Sequence, residues 1–133
     1  MPESPPPPRR PARRKIHKTI SIARACITAG YNNTIITITD LDGDVLATVS
    51  AGSCGFEGTR KSTPYAAKVA AEAAAERAKT HGVEAVHVEV RGAGPGYEQA
   101  IRGLQGAGLD FKSIVDRTPI PHGGCRPRRR RRV

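Results

Sequence analysis

Residues 63–82 read TPYAAKVAAEAAAERAKTHG, and the alanines of this segment constrain the fold more than any other feature of the chain. Thr63 is placed to cap a helix whose first residue is Pro64, and Gly82 marks its stop. A helix whose inward side is mostly alanine buries little surface per residue but lets its axis lie close to a sheet. The flanking residues supply that sheet. VEAVHVEVR, residues 83–91, alternates, with Val86, Val88 and Val90 facing one way and His87, Glu89 and Arg91 the other. A strand, a helix and a strand at this length imply a crossover connection.

Upstream, KTISIARACITA (residues 18–29) alternates Ile20, Ile22 and Ile27 with polar residues, and YNNTIITITD (residues 31–40) is dominated by β-branched residues. Asp42-Gly43 then separates this run from DVLATVS, residues 44–50, which is the signature of a hairpin. Strands one to three are expected to form an antiparallel meander. SAGSCGFEGTRKSTP, residues 50–64, reads as a loop. After GAGPG, residues 92–96, a short helix is expected from Tyr97 to about Ala107 with Ile101 and Leu104 inward, ended by Gly108. LDFKSIVD, residues 109–116, makes a fifth strand. The order βββαβαβ predicts an α/β domain with a mixed five-stranded sheet and helices packed on its faces.

With 133 residues the chain has room for one such domain and little more. Its charge is divided unevenly. Residues 1–24 hold seven Lys/Arg against Glu3, residues 117–133 hold seven Arg against no acid, and residues 25–116 hold eight basic against eleven acidic side chains. The organisation expected is therefore a Pro/Arg-rich disordered arm over 1–17, a domain over 18–117 and a basic tail over 118–133. Blocks of like charge at chain ends are typical of arms that order on meeting a polyanion. Pro5 to Pro8 favour polyproline II over the amphipathic helix of a transit peptide.

Cys26, Cys54 and Cys125 are odd in number and widely spaced, which argues for a reducing compartment over a disulfide framework. No run approaches a membrane span, a secretory signal is not evident, and the final four residues hold no cysteine for a lipid. No membrane partner is expected.

Several motifs could carry chemistry. The turn RGAGPGYEQAIR follows a strand and opens a helix, so backbone N–H groups at Gly94 and Gly96 are candidates for holding phosphate. A dinucleotide fingerprint would need a third glycine where Tyr97 stands, and would not place Pro95 inside the turn. Neither a nucleotide cofactor nor a small-molecule substrate is expected. Asp40, Asp42 and Asp44 flank a hairpin turn, where Asp is favoured for local backbone contacts, rather than forming a two-metal cluster. His122-Gly-Gly-Cys125 is half of a zinc site with no second pair, so no metal is expected. His17, His81 and His87 read as surface or hydrogen-bonded residues, and Tyr65 and Tyr97 as packing residues. Two Phe and three Tyr make base stacking a minor mechanism and phosphate contact by Arg the major one. GTRKST adds Arg60, Lys61 and Ser62 before a helix N-terminus as a second phosphate site. Asn32 and Asn33 are equally a polar turn or donors to RNA. A nuclease or nucleotide enzyme and a general DNA-compacting protein are the rival classes.

YNNTIITITD, AGSCGFEGTRKSTPYAA, RGAGPGYEQAIR and DRTPIPHGGCRPRRRRRV together resemble the family of protein eleven of the small ribosomal subunit, bacterial or organellar, over about residues 18–133. The proline arm lies outside the match. The resemblance implies a three-layer, ribonuclease-H-like sheet without catalysis: the metal-binding carboxylate of the nucleases has no counterpart where Ser21, Ala23 and Arg24 stand. It implies a protein of the cytoplasmic ribosome, or an organellar one, that orders ribosomal RNA of the platform near the exit-side tRNA site and the messenger RNA path. The implied partners are ribosomal RNA, neighbouring ribosomal proteins and messenger RNA. Carried over by position, Asn32, Asn33, Arg60, Lys61, Ser62, Arg102, Arg117, His122, Arg126, Arg128, Arg129, Arg130, Arg131 and Arg132 are expected to line the RNA. Arg13, Arg14 and Lys15 join them from the N-terminal arm. The chain departs from the family pattern at Glu57 and Tyr97, where basic residues are frequent, so neither counts as a phosphate contact. It also departs at Gly123, where the frequent Asn-Gly step would permit isoaspartate formation.

Overall fold

The structure is a computed structural model that describes residues 20–132; Arg13, Arg14, Lys15 and the rest of the N-terminal arm lie outside the described residues. Five strands form one sheet: β1 (Ile22–Ala29), β2 (Thr34–Thr39), β3 (Val45–Ser50), β4 (Ala85–Arg91) and β5 (Asp110–Asp116), with helix α1 (Pro64–Lys79) between β3 and β4 and α2 (Tyr97–Gly106) between β4 and β5. The spatial order is β3-β2-β1-β4-β5. β1 pairs antiparallel with β2, and β2 with β3, as the meander requires, whereas β1–β4 and β4–β5 are parallel. This is the mixed α/β sheet with two packed helices that the order of periodicities predicts.

The registers put Ile27 beside Ile36 and Val90, so the inward rows of three strands coincide. Ile27, Ile36, Ile38, Val86, Val88, Val90 and Leu104 are fully buried in one cluster with the helices. Each such side chain contributes about 1.5–3 kcal/mol relative to exposure. α1 contributes Ala66, Ala67, Ala70, Ala71, Ala74, Ala75 and Ala78 to that cluster's side of the helix, all without exposed surface. The small-residue logic extends to the second helix. A Cβ at Gly103 of α2 would stand 2.7 Å from Ala71 Cβ and 2.9 Å from the Lys68 carbonyl oxygen, so α2 lies directly on the backbone of α1.

Boundaries shift where local polar groups compete with the ladder. β1 begins at Ile22, and β2 begins only at Thr34, because Gly30 N–H donates to Asn33 O (2.9 Å) and Thr34 N–H to Asn33 Oδ1 (2.9 Å), closing a turn over YNN. The Asp-Gly hairpin forms as expected: Gly43 has φ +106°, and Asp40 Oδ1 accepts from the amides of Gly43 and Asp44, both at 2.8 Å. The Asp40 carboxylate is thus a turn-former. The segment 50–64, expected as plain loop, contains two 3-10 turns, Gly52–Cys54 and Gly58–Ser62. Thr63 caps α1 by accepting from Ala66 N–H at 3.3 Å.

Candidate nucleic-acid interface

β1, β4 and β5 run parallel, so their carboxyl ends share one end of the sheet, and the amino ends of α1 and α2 arrive there too. In open α/β sheets this is the end at which ligands are met. The contacts that hold its loops together are between backbones. A Cβ at Gly94 would lie 2.2 Å from Gly30 O, and one at Gly92 2.3 Å from Ala29 O, so the GAGPG loop is pressed onto the turn that carries Asn32 and Asn33. Gly94 N–H donates to Ala29 O at 3.0 Å. Gly96 faces the Thr34 hydroxyl and the Ala67 side chain, either of which a Cβ would meet at under 3 Å, which ties the same loop to the first turns of α1. Ala51 N–H donates to Thr34 O (3.1 Å), bringing in the segment that leads to Arg60.

Asn32, Asn33, Arg60, Lys61, Ser62, Gly94, Gly96 and Arg117 are therefore gathered at one end from four separate stretches of chain. Asn32 and Arg60 are exposed, and Lys61 and Ser62 half-buried. Because Asn33 Oδ1 is occupied by Thr34 N–H, the side chain presents its amide NH2 as donor. Ser62 Oγ donates to Thr59 O at 3.0 Å and Thr63 Oγ1 to Arg60 O at 2.7 Å, so the Arg60-Lys61 pair is carried on a braced turn. Arg102 stands apart, exposed more than a turn along α2. His122, Arg126 and Arg128 to Arg132 follow in an exposed tail without helix or strand.

The tail's origin is fixed where it leaves β5. Arg117 N–H donates to Val90 O (2.8 Å), extending the sheet by one residue, and Arg117 Nε lies 3.1 Å from Glu89 Oε1. Thr118 Oγ1 accepts from Gly92 N–H (3.1 Å) and donates to Asp116 Oδ1, which also accepts from Thr118 N–H at 2.9 Å. These bonds, the side-chain one first, hold the Asp116 carboxyl below its ordinary range. The arginine-rich segment is in this way tied to the GAGPG loop at its root.

Sequence reasoning missed Glu89 and Thr118 as the fixing points. Period-two alternation places Glu89 on the polar face of β4, but only the β1–β4 pairing brings Arg24 Nε to 3.5 Å from the same oxygen that Arg117 holds. On that face Cys26 sits beside Glu89, and burial first, then the glutamate's charge, pushes its thiol pKa up. His87 Nδ1 shares a 2.8 Å hydrogen bond with Ser113 Oγ. Tyr97 packs against the core as expected, but Tyr65 does not: it is 67% exposed.

A cleft of about 480 Å3 opens between Pro64 and the GAGPG loop, with Tyr97, Glu98, Gln99 and Asp116 on its walls. Of the domain's other acids, Asp40, Asp42 and Asp44 in the β2–β3 hairpin, Glu84 before β4 and Asp110 at the start of β5 belong to the opposite end of the sheet, whereas Glu57 directly precedes the Arg60-Lys61 turn and Glu72, Glu76 and Glu89 lie along α1 and β4. No group of three or more His, Cys, Asp or Glu is placed to hold a metal among the described residues, and no helix among them is long and apolar enough to cross a membrane.

One end of this α/β body thus carries the polar loops and the root of an arginine-rich tail, an arrangement suited to an anionic partner such as a nucleic acid. The family model described as ribosomal protein S11 matches residues 23–132. The chain is 52% identical over 122 residues to the small ribosomal subunit protein uS11 of Thermus thermophilus, covering 92% of this chain and 95% of that one. It is 54% identical over 127 residues to the protein of the same name from Caldicellulosiruptor saccharolyticus (96% and 98%), and 54% over 121 residues to that of Acidiphilium cryptum (91% and 93%). The chain belongs to the ribosomal protein S11 family.

Proposed function

We propose that this chain binds and orders small-subunit ribosomal RNA of the platform, near the exit-side tRNA site and the messenger RNA path, through the loops and tail at the carboxyl end of its sheet. Family membership makes it a structural, non-enzymatic constituent of the small ribosomal subunit in the cytoplasm, in association with ribosomal RNA and neighbouring ribosomal proteins. The observation that carries the finer reading is the root of the tail. Thr118 joins the arginine segment to the GAGPG loop, so tail and loops approach one RNA surface as a unit. Phosphate neutralisation supplies the affinity, with Arg13, Arg14 and Lys15 of the N-terminal arm acting alongside Arg126 and Arg128 to Arg132.

The test is salt dependence. Replacing Arg128 to Arg132 by Ser in the intact chain is expected to weaken binding to small-subunit ribosomal RNA and to flatten the slope of log K against log salt by about four, if about five phosphate contacts are lost. An unchanged slope removes the tail from the mechanism. Equal affinity for unrelated duplex DNA would favour a general nucleic-acid chaperone instead.

A further inference from the structure

Two of the three tyrosines are spent in a way that packing does not explain. Tyr31, in the β1–β2 turn beside Asn32, is 80% exposed, and Tyr65, in the first turn of α1 just after the Arg60-Lys61 turn, is 67% exposed. In a chain with only five aromatic residues and no Trp, leaving two rings in water forgoes burial that the domain otherwise makes mostly from small side chains. Both belong to the RNA-facing end, since the GAGPG loop contacts the Gly30–Thr34 turn on one side and Ala67 of α1 on the other. Tyr65 is also held. Phe56 meets it edge-on, with ring centroids 5.9 Å apart and planes at 79°, so the ring is oriented while most of its surface stays open.

We propose that Tyr31 and Tyr65 are stacking platforms for unpaired bases of the RNA, a base-contacting component separate from the arginine–phosphate one. The proposal rests on the RNA-binding reading above. The chemistry suits the site. A flat, amphipathic ring next to cationic side chains offers a π-face to a splayed-out base while Arg60 and Lys61 meet the adjoining phosphates. Stacking of this kind is sequence-tolerant and releases no counterions, so it adds affinity without adding to the salt slope.

The experiment uses the full chain and intact small-subunit ribosomal RNA across a series of salt concentrations. Tyr31→Leu and Tyr65→Leu are each expected to lower affinity about tenfold with the wild-type salt slope retained, while Tyr31→Phe and Tyr65→Phe bind as wild type. Tyrosine emission, undisturbed by tryptophan, is expected to be quenched on binding, and less so in each Leu variant. Melting curves of the exposed-site variants should match the wild type, which separates binding from folding. Wild-type affinity in both Leu variants overturns the proposal, as does a loss accompanied by a flattened slope. Normal RNA binding with loss of a neighbouring protein from assembled particles would likewise overturn it, assigning the rings to a protein contact. Failure of the wild-type chain to bind the RNA at all would instead sink the reading on which the proposal stands.

Discussion

Gly94→Ala puts the architecture of the interface to a direct test. Gly94 does not have a positive φ, so its backbone conformation is open to alanine, and any cost must come from contact. The added Cβ would stand 2.2 Å from Gly30 O, 2.7 Å from Gly30 C and 2.9 Å from Ala29 C, whereas ordinary contact begins at 3.4 Å. All three atoms are backbone of β1 and its turn, so no side chain can swing aside. The loop must retreat by roughly 1 Å, which overpacking data put at about 1–3 kcal/mol. The retreat also strips the Gly94 N–H to Ala29 O bond, worth about 1 kcal/mol. Lower unfolded-chain entropy returns about 0.4–1 kcal/mol. The net is about 1–3.5 kcal/mol, or a fall in melting temperature of roughly 4–15 °C for a domain of this size. Gly106→Ala at the end of α2 is the matched control, because nothing lies within 4 Å of its Cβ, and it should gain about 0.5–1 kcal/mol. Urea and thermal unfolding followed by circular dichroism measure both. The reasoning is refuted if Gly94→Ala melts within a degree of wild type, or if the two variants fall together.

Three further outcomes are expected. Thr63→Ala removes the α1 cap and the bond to Arg60 O, and should cost about 1 kcal/mol in urea denaturation while weakening RNA binding through the loosened Arg60-Lys61 turn. Asp116 is held below its ordinary pKa by Thr118. Its contribution to stability is thus full above the unfolded-state pKa and disappears as pH falls through the lower folded value; Thr118→Val, which removes the hydroxyl bond and keeps the backbone one, should move its NMR-detected titration up towards the ordinary carboxylate range. Cys26, with its raised thiol pKa and half-buried position, should alkylate more slowly than Cys125 in the exposed tail, as followed by peptide mass spectrometry; ribosomal RNA should protect Cys125 if the tail enters it.

The elements themselves were legible because their signals are local. Asp-Gly closes the β2–β3 hairpin, Thr63 and Pro64 start α1, and Val86, Val88 and Val90 keep the inward row that alternation assigns them. The departures were also local in origin. The run YNNTIITITD enters β2 only at Thr34, because Asn33 satisfies the Thr34 amide with its own side chain and holds YNN in the polar turn that is one of its two sequence readings. Tyr65 reads from the sequence as a packing residue, yet its ring meets Phe56 edge-on and stays 67% exposed at the start of α1, outside the alanine-lined core.

Periodicity, capping residues and charge blocks thus determine by themselves the five strands, the two helices and the presence of a basic tail, since each depends on neighbours a few residues away. Only the tertiary structure decides that Asn33, Arg60, Gly94 and Arg117 share one end, that Glu89 serves both Arg24 and Arg117, and that Glu84 and Asp110 lie at the same far end as the Asp40 hairpin. Those facts depend on the parallel pairing of β1 with β4 and of β4 with β5, contacts between segments far apart in sequence, and no local signal encodes which strand a given strand will lie beside.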